Sequence, residues 1–104
     1  ALGGYDVTQL TSYVDFMPTI LDLCEIKIPN DRFFHGKSLT ALMRGEVDDS
    51  WEQRIMVTDT QRVARPVKWR LSSVMRGPWR YVNGRELYNV RTDPKQSLNI
   101  AREN

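Results

Sequence analysis

The chain has 104 residues and a formal net charge of +2 at pH 7, with 40% apolar and 27% charged side chains. This length excludes a multidomain protein, and the composition excludes a disordered one, so we expect a single domain over residues 1–104. No run approaches the roughly 20 apolar residues that a membrane-spanning helix needs. Because the sequence begins with Ala1 rather than Met, we expect a processed chain or a piece of a longer one.

In the first half of the chain, the apolar residues are spaced as in helices. Apolar side chains at helical intervals predict a helix from about Phe16 to Cys24, with Asp15 as its N-cap. Cys24 is the one cysteine of the chain, which excludes an intrachain disulfide, and we expect its thiol to be buried and structural. Ser38 predicts the N-cap of a second helix of about two turns, which ends at Gly45.

After Trp51 the pattern becomes that of strands, with alternating or β-branched and aromatic residues. The predicted strands cover residues 55–60, 69–75, 79–82 and 85–88. Asn83-Gly84 predicts a hairpin with a type I′ turn, because that turn needs positive φ at both central residues. A terminal helical turn is expected over residues 96–101. The order of elements predicts an α+β fold, a small antiparallel sheet of about four strands packed by the helix at 16–24.

Charge is unevenly distributed along the chain. Residues 1–52 carry four basic and nine acidic side chains, whereas residues 53–104 carry eleven basic and four acidic ones. Arginine, the commoner base here, binds carboxylate, phosphate and sulfate-like groups through a planar fork. The second half is therefore either an anion-binding face or a solvated face whose acidic complement lies in the first half.

Residue sets for common catalytic and metal sites are missing. Gly36-Lys37-Ser38 lacks the upstream glycine of a phosphate loop. His35 is the one histidine, which leaves no Ser/His/Asp set and no Cys/His metal cluster. The acidic pair Asp48-Asp49 is interpreted as solvated rather than as a cation site. The sequence thus predicts no catalytic and no metal-binding residue in this chain.

The connection between the first two strands is longer than a tight turn and rich in cations. It carries Gln61, Arg62, Arg65, Lys68 and Trp69. One interpretation is a binding loop, since function concentrates on such connections. The other is a surface loop whose arginine stems lie along apolar neighbours.

Five motifs, in order along nearly the whole chain, resemble the C-terminal region of the sulfatase (arylsulfatase) family of the alkaline-phosphatase-like superfamily. They are VDFMPTILDL at 14–23, HGKSL at 35–39 with LMRG at 42–45, WRYV at 79–82, ELYNV at 86–90 with Asp93-Pro94, and Asn99-Ile100-Ala101. Two positions depart from the family pattern. His35 stands where the family usually has Asp, and Gln96 where it often has Glu.

The resemblance implies the C-terminal subdomain of a larger sulfuric ester hydrolase, which uses calcium and a formylglycine nucleophile. Cys24 is followed by Glu25-Ile26-Lys27-Ile28, so it does not match the C/S-x-P-x-R motif of that nucleophile. The reacting groups are expected upstream, and this chain alone is expected to be inactive. The resemblance implies that the connection between the first two strands faces the active-site cleft of the parent enzyme. Gln61, Arg62 and Lys68 are then expected to bind the substrate.

The partners implied are the rest of the parent chain and a sulfated small molecule or glycan, without nucleic acid or membrane. The isolated piece is also expected to self-associate through its exposed domain interface. The resemblance implies a periplasmic or extracellular location. The alternative is a small independent arginine-rich module that binds a polyanion or nucleic acid through a stripe of cations beside stacking aromatics.

Overall fold

A computed structural model describes residues 4–102, which form two compact units divided between Trp51 and Glu52. A 3₁₀ turn, Tyr13–Asp15, precedes helices α1 (Phe16–Leu23), α2 (Thr40–Met43) and α3 (Asp49–Glu52). Strands β1 (Ile55–Asp59), β2 (Ser72–Arg76), β3 (Trp79–Val82) and β4 (Glu86–Asn89) follow. The α+β class with a four-stranded antiparallel sheet is confirmed. The single-domain organisation and the packing of the first helix on the sheet stay predictions.

The start of α1 is fixed by polar contacts that begin at Asp15. Its fully buried carboxylate accepts hydrogen bonds from the backbone N–H groups of Ser12 (2.8 Å) and Lys37 (2.9 Å). One turn later, Thr19 Oγ1 donates to the Asp15 carbonyl (2.6 Å) and accepts from the Leu39 N–H (2.9 Å). Residues four apart lie on one helix face, so both side chains tie α1 to the segment before α2.

Asp22 continues this line of polar groups, here called the polar face of α1 (Asp15, Thr19 and Asp22). Its carboxylate accepts hydrogen bonds from the hydroxyls of Ser38 (2.6 Å) and Thr40. These two bonds, that from Ser38 first, hold the pKa of Asp22 below its ordinary value. Asp15, which directly precedes α1, and Thr19 and Asp22 within it therefore bind the four residues 37–40.

Gly36 lies where the chain passes closest to this helix. A Cβ at position 36 would be 1.9 Å from the carbonyl oxygen of Val14, which is far inside van der Waals contact. Only glycine lets the backbone approach this closely and so present the Lys37 N–H to the Asp15 carboxylate.

The side chain of Lys37 closes the same region from outside. Its ammonium lies 4.6 Å from the centroid of the Trp51 ring and 3.4 Å from the Asp48 carboxylate. Among residues 4–51, Trp51 and Leu42 form the apolar core of the first unit, and each is 2% exposed. Lys37 thus joins the polar face, through its N–H, to the edge of this core, through its side chain.

One expectation about the first helix is confirmed in part and another is wrong. Asp15 occupies the N-cap position of α1 as predicted, but its carboxylate makes no capping hydrogen bond to the helix and accepts the N–H groups of Ser12 and Lys37 instead. Cys24 is exposed rather than buried. The reason is that α1 buries Pro18 and Thr19. Its large apolar side chains, which predicted the buried face, are more than half exposed: Phe16, Met17, Ile20 and Leu23.

The second helix is shorter than predicted and begins later. Leu39 rather than Ser38 is the residue before α2, although Ser38 Oγ accepts from the Thr40 N–H at 3.3 Å. The helix has one turn and ends before Gly45, as predicted. Gly45 has a φ of +79° and its N–H donates to the Leu42 carbonyl at 2.9 Å, which is the geometry of a glycine helix stop.

The second unit is a meander in which β1, β2, β3 and β4 are neighbours in chain order. Because paired residues project from the same side of a sheet, the register defines two faces. One, here called the apolar face, carries Ile55, Val57, Val74, Trp79, Tyr81 and Leu87. Ile55 and Val57 are 57% and 65% exposed. On the other face Ser73 is buried and shares a hydrogen bond of 2.7 Å with Thr58.

The β3–β4 turn has the backbone that the sequence predicts. Asn83 and Gly84 have φ values of +52° and +70°, and the Arg85 N–H donates to the Val82 carbonyl at 3.1 Å. Positive φ at both central residues is the requirement of a type I′ turn. The register pairs Val82 with Glu86, so three residues, 83–85, connect the last two strands, one more than in a two-residue type I′ hairpin.

Two backbone expectations in the second unit are wrong. Strand β2 begins at Ser72 rather than at residue 69, because Trp69 and Leu71 have φ values of +68° and +49° that interrupt an extended chain. Residues 96–101 do not form a helical turn. Instead the Asp93 carboxylate accepts the Leu98 N–H at 2.8 Å, and this bond, with others from the same backbone, lowers the pKa of Asp93.

We expect Asp15→Asn to destabilise the protein by about 2 kcal/mol, because the amide NH₂ group would face a backbone N–H and leave it without an acceptor. Urea unfolding followed by circular dichroism measures the change in the free energy of unfolding. Asp31→Asn is the control, because the Asp31 side chain is 77% exposed. Equal stabilities of the two variants would contradict the role given to Asp15.

Candidate functional site

The β1–β2 loop, residues 60–71, is held in shape by the side chain of Gln61. Its Nε2 donates to the Val67 carbonyl (3.0 Å) and to the Asp59 carboxylate (3.1 Å), and its Oε1 accepts from the Val67 N–H (2.9 Å). The carboxamide therefore pairs with Val67 as a neighbouring strand would. At the base of the loop, the Thr60 N–H donates to the Leu71 carbonyl at 3.2 Å.

The predicted substrate-binding residues occupy different parts of this loop. Gln61 lies at its base, with both ends of its amide bonded inside the loop. Arg62 is exposed in the segment 62–66 that the Gln61–Val67 pair closes, and makes no hydrogen bond or ion pair with another described side chain. Lys68 lies beyond that segment, with its ammonium 5.0 Å from the centroid of the Trp69 ring.

Two open depressions flank Lys68 and Trp69. The first, of about 370 Å³, lies between the loop and the sheet and includes Val57, Gln61, Val67 and Val74 in its lining. The second, of about 360 Å³, is here called the Trp69 depression and is lined by Lys68, Trp69, Arg70, Leu71, Asn83 and Arg85. The loop therefore places Lys68 beside both depressions.

The indole of Trp69 brings the loop against the β3–β4 turn. A Cβ on Gly84 would be 2.7 Å from Cγ of Trp69, so the ring stem rests on the glycine backbone. Gly84 is thus needed twice, for its positive φ and for this close approach. The contact adds Asn83 and Arg85 to the site, and neither was singled out from the sequence. The Asn-Gly signal fixed the position of this turn, but not what would lie against it.

Several of the described carboxylates are bound within the fold rather than free to hold a metal. Residues 4–102 contain no group of three or more His, Cys, Asp or Glu side chains that could hold a metal ion. The Asp48 carboxylate, for example, accepts the Ser50 N–H at 2.9 Å and lies 3.4 Å from the Lys37 ammonium. Hydrogen bonds from the Ser50 side chain, followed by those of its backbone and the charge of Lys37, lower the pKa of Asp48.

Comparison with known proteins gives one sulfatase relative. The chain is 30% identical, over 106 aligned residues, to a Delta 4,5-hexuronate-2-O-sulfatase from Bacteroides thetaiotaomicron. The alignment covers 93% of this chain and 20% of that protein, so the chain spans about a fifth of the length of the curated relative it matches. No protein-family model matches the chain. No helix within residues 4–102 is long and apolar enough to cross a bilayer.

We expect Gln61→Ala to open the base of the loop, because the Val67 N–H and carbonyl lose their partner. Loss of one hydrogen bond should raise the hydrogen-exchange rate of the Val67 amide about threefold to tenfold. Gln53→Ala is the control, because Gln53 is exposed and lies outside the loop. An unchanged Val67 rate in Gln61→Ala would show that the amide does not hold the loop.

Proposed function

We propose that this chain is the C-terminal part of a sulfatase, a sulfuric ester hydrolase, to which it contributes structure and a substrate-facing loop. The observation that carries this proposal is the 30% identity to a sulfatase over 93% of the chain. The order of the five resembling motifs agrees with it. The similarity extends over both compact units, so neither unit by itself accounts for it.

The motifs that carry the resemblance hold the backbone in place. Asp15, Thr19 and Asp22 of the first motif bind residues 37–40, which belong to the second. Gly36 of the second motif makes room for that contact. The similarity between this chain and sulfatases is therefore a similarity of scaffold, and the reaction is assigned to the rest of the parent protein.

The parent's calcium does not fit the residues described here. Calcium takes six to eight oxygen ligands, usually from several carboxylates. Residues 4–102 have no acidic cluster of that kind, and Asp22 and Asp48 are already bound by hydroxyl, backbone or ammonium groups. We therefore assign calcium and the formylglycine to the upstream part of the parent and no reaction step to this chain.

The β1–β2 loop is the part of the chain suited to bind a sulfated substrate. Arg62 presents a guanidinium that is not engaged by another described side chain, and Lys68 presents an ammonium. Both would attract the negative groups of a sulfated small molecule or glycan. Gln61 supports this binding by holding the loop. The relative's name favours a sulfated uronate sugar as the substrate.

The remainder of the parent is the proposed partner of the apolar surfaces. Four side chains on the apolar face of the sheet and four on α1 are exposed: Ile55, Val57, Trp79 and Tyr81, and Phe16, Met17, Ile20 and Leu23. Exposed apolar patches of this kind mark interaction surfaces, and in the isolated chain they favour self-association. As the similarity is to a sulfatase, we place the parent in the periplasm or outside the cell.

The chain alone is expected to show no sulfatase activity, because it lacks the nucleophile motif and residues 4–102 contain no acidic cluster that could hold calcium. Release of p-nitrophenol from p-nitrophenyl sulfate in the presence of calcium measures this. The full-length parent protein is the positive control. Turnover by the chain alone would overturn the assignment of the reacting groups to the upstream part.

In the full-length enzyme, we expect Arg62→Ala to lower kcat/KM about tenfold or more, because a charge-assisted hydrogen bond to the substrate is lost. Arg91→Ala is the matched control, since Arg91 is exposed and lies outside the loop. An unchanged kcat/KM in Arg62→Ala would remove Arg62 from the substrate site and leave the sulfatase assignment in place.

A further inference from the structure

The Trp69 depression carries positive charge that its own lining does not neutralise. Lys68, Arg70 and Arg85 are three of its lining residues, and none of the described residues that line it is acidic. Arg70 makes no ion pair with a described side chain. Arg85 forms an ion pair of 3.6 Å with Glu86, which does not line the depression, and the Arg85 side chain stays 77% exposed. An arginine fork binds a carboxylate or a sulfate through two parallel hydrogen bonds.

The backbone around the depression is held in an uncommon conformation. Trp69 and Leu71 both have positive φ, which is unfavourable for a residue other than glycine because Cβ comes too close to the carbonyl oxygen. The Gln61–Val67 pair holds this segment on one side and the Arg70 N–H donates to the Val67 carbonyl at 3.2 Å. Backbone strain of this kind is concentrated at sites that bind ligands.

The indole and the cations together favour a sugar that carries acid groups. Trp69 is 49% exposed and offers apolar surface to the C–H groups of a sugar ring. The Lys68 ammonium lies 5.0 Å from the centroid of its ring. An acid group of the sugar would pair with that ammonium while the sugar ring contacts the exposed part of the indole.

We propose that the Trp69 depression binds an acid group of a saccharide, a carboxylate or a further sulfate, at a distance from the ester that reacts. Arg70 and Arg85 pair with the acid group, Lys68 adds charge, and Trp69 contacts the ring. The inference rests on the proposed function, because the ester that reacts is the substrate of the proposed sulfatase. The binding itself needs none of the reacting groups and is measurable on this chain.

The test is a titration of the ¹⁵N-labelled 104-residue chain, followed by NMR, with a heparin-derived disaccharide that carries uronate and sulfate groups. We expect shifts of the Trp69 indole N–H and of the amides of residues 68–71 and 83–85. Cellobiose, which is uncharged, should leave these signals unchanged. Shifts spread evenly over the arginine-rich half, or none at the depression, would overturn the proposal.

Two variants separate a built site from general charge attraction. Arg70→Gln with Arg85→Gln should weaken binding at least tenfold, whereas Arg91→Gln with Arg102→Gln, which removes the same charge elsewhere, should change it less than twofold. Trp69→Asn should also weaken binding, and asparagine tolerates the positive φ at this position. Equal losses in both double variants would contradict the site.

Two further results distinguish this site from its alternatives. Tighter binding of single-stranded oligothymidine than of the disaccharide would overturn the saccharide proposal in favour of a nucleic-acid module. If the full-length protein lacks sulfatase activity while the disaccharide still binds at Trp69, the proposed function fails and the site stands. If the full-length enzyme is active but the Arg70 and Arg85 variants retain the wild-type KM, the site fails.

Discussion

The buried Asp15 carboxylate, bound by the N–H groups of Ser12 and Lys37, is the interaction on which the first unit depends. Burial of a carboxylate is costly unless hydrogen bonds replace the water that it loses. Both donors are backbone groups, so their positions are fixed by the course of the chain. The Lys37 donor reaches Asp15 only because residue 36 has no Cβ. The hydrogen bond from Lys37 therefore requires both the Asp15 carboxylate and a glycine at position 36.

The contact between the polar face of α1 and residues 37–40 determines which face of α1 is exposed. Since Asp15, Thr19 and Asp22 turn toward residues 37–40, the large apolar side chains of the helix remain exposed. The sheet shows the same arrangement, with Ile55 and Val57 on an exposed face. A chain that binds itself through polar groups and presents apolar groups outward is suited to be one part of a larger protein. That agrees with a sulfatase relative about five times as long.

Local patterns predicted most of the secondary structure, because the side-chain period and the turn residues determine it. The Asn83-Gly84 turn and β3 lie where they were predicted, and α1 ends one residue earlier. The alternating hydrophobic pattern that predicted a strand from residue 69 includes Trp69. The positive φ of Trp69 does not alter that pattern, so the sequence could not show that the strand begins later. The N-cap position of Asp15 was predicted correctly, but the bonding of its carboxylate was not, because a capping carboxylate and a buried acceptor look alike in sequence and one partner, Lys37, is 22 residues away.

The candidate site was predictable as a loop but not in its contacts. Cations on a long connection pointed to Arg62 and Lys68, whose roles toward substrate stay predictions. The bonding of Gln61 to Val67 could not be read from residue types. These hydrogen bonds also separate the base of the loop from its tip, residues 62–66. Because Gln61 and Val67 close it independently of the tip, residues 62–66 can vary in length and charge at little entropic cost to the sheet. The segment 62–66 can therefore be exchanged alone, without loss of the Gln61–Val67 pair that closes the loop.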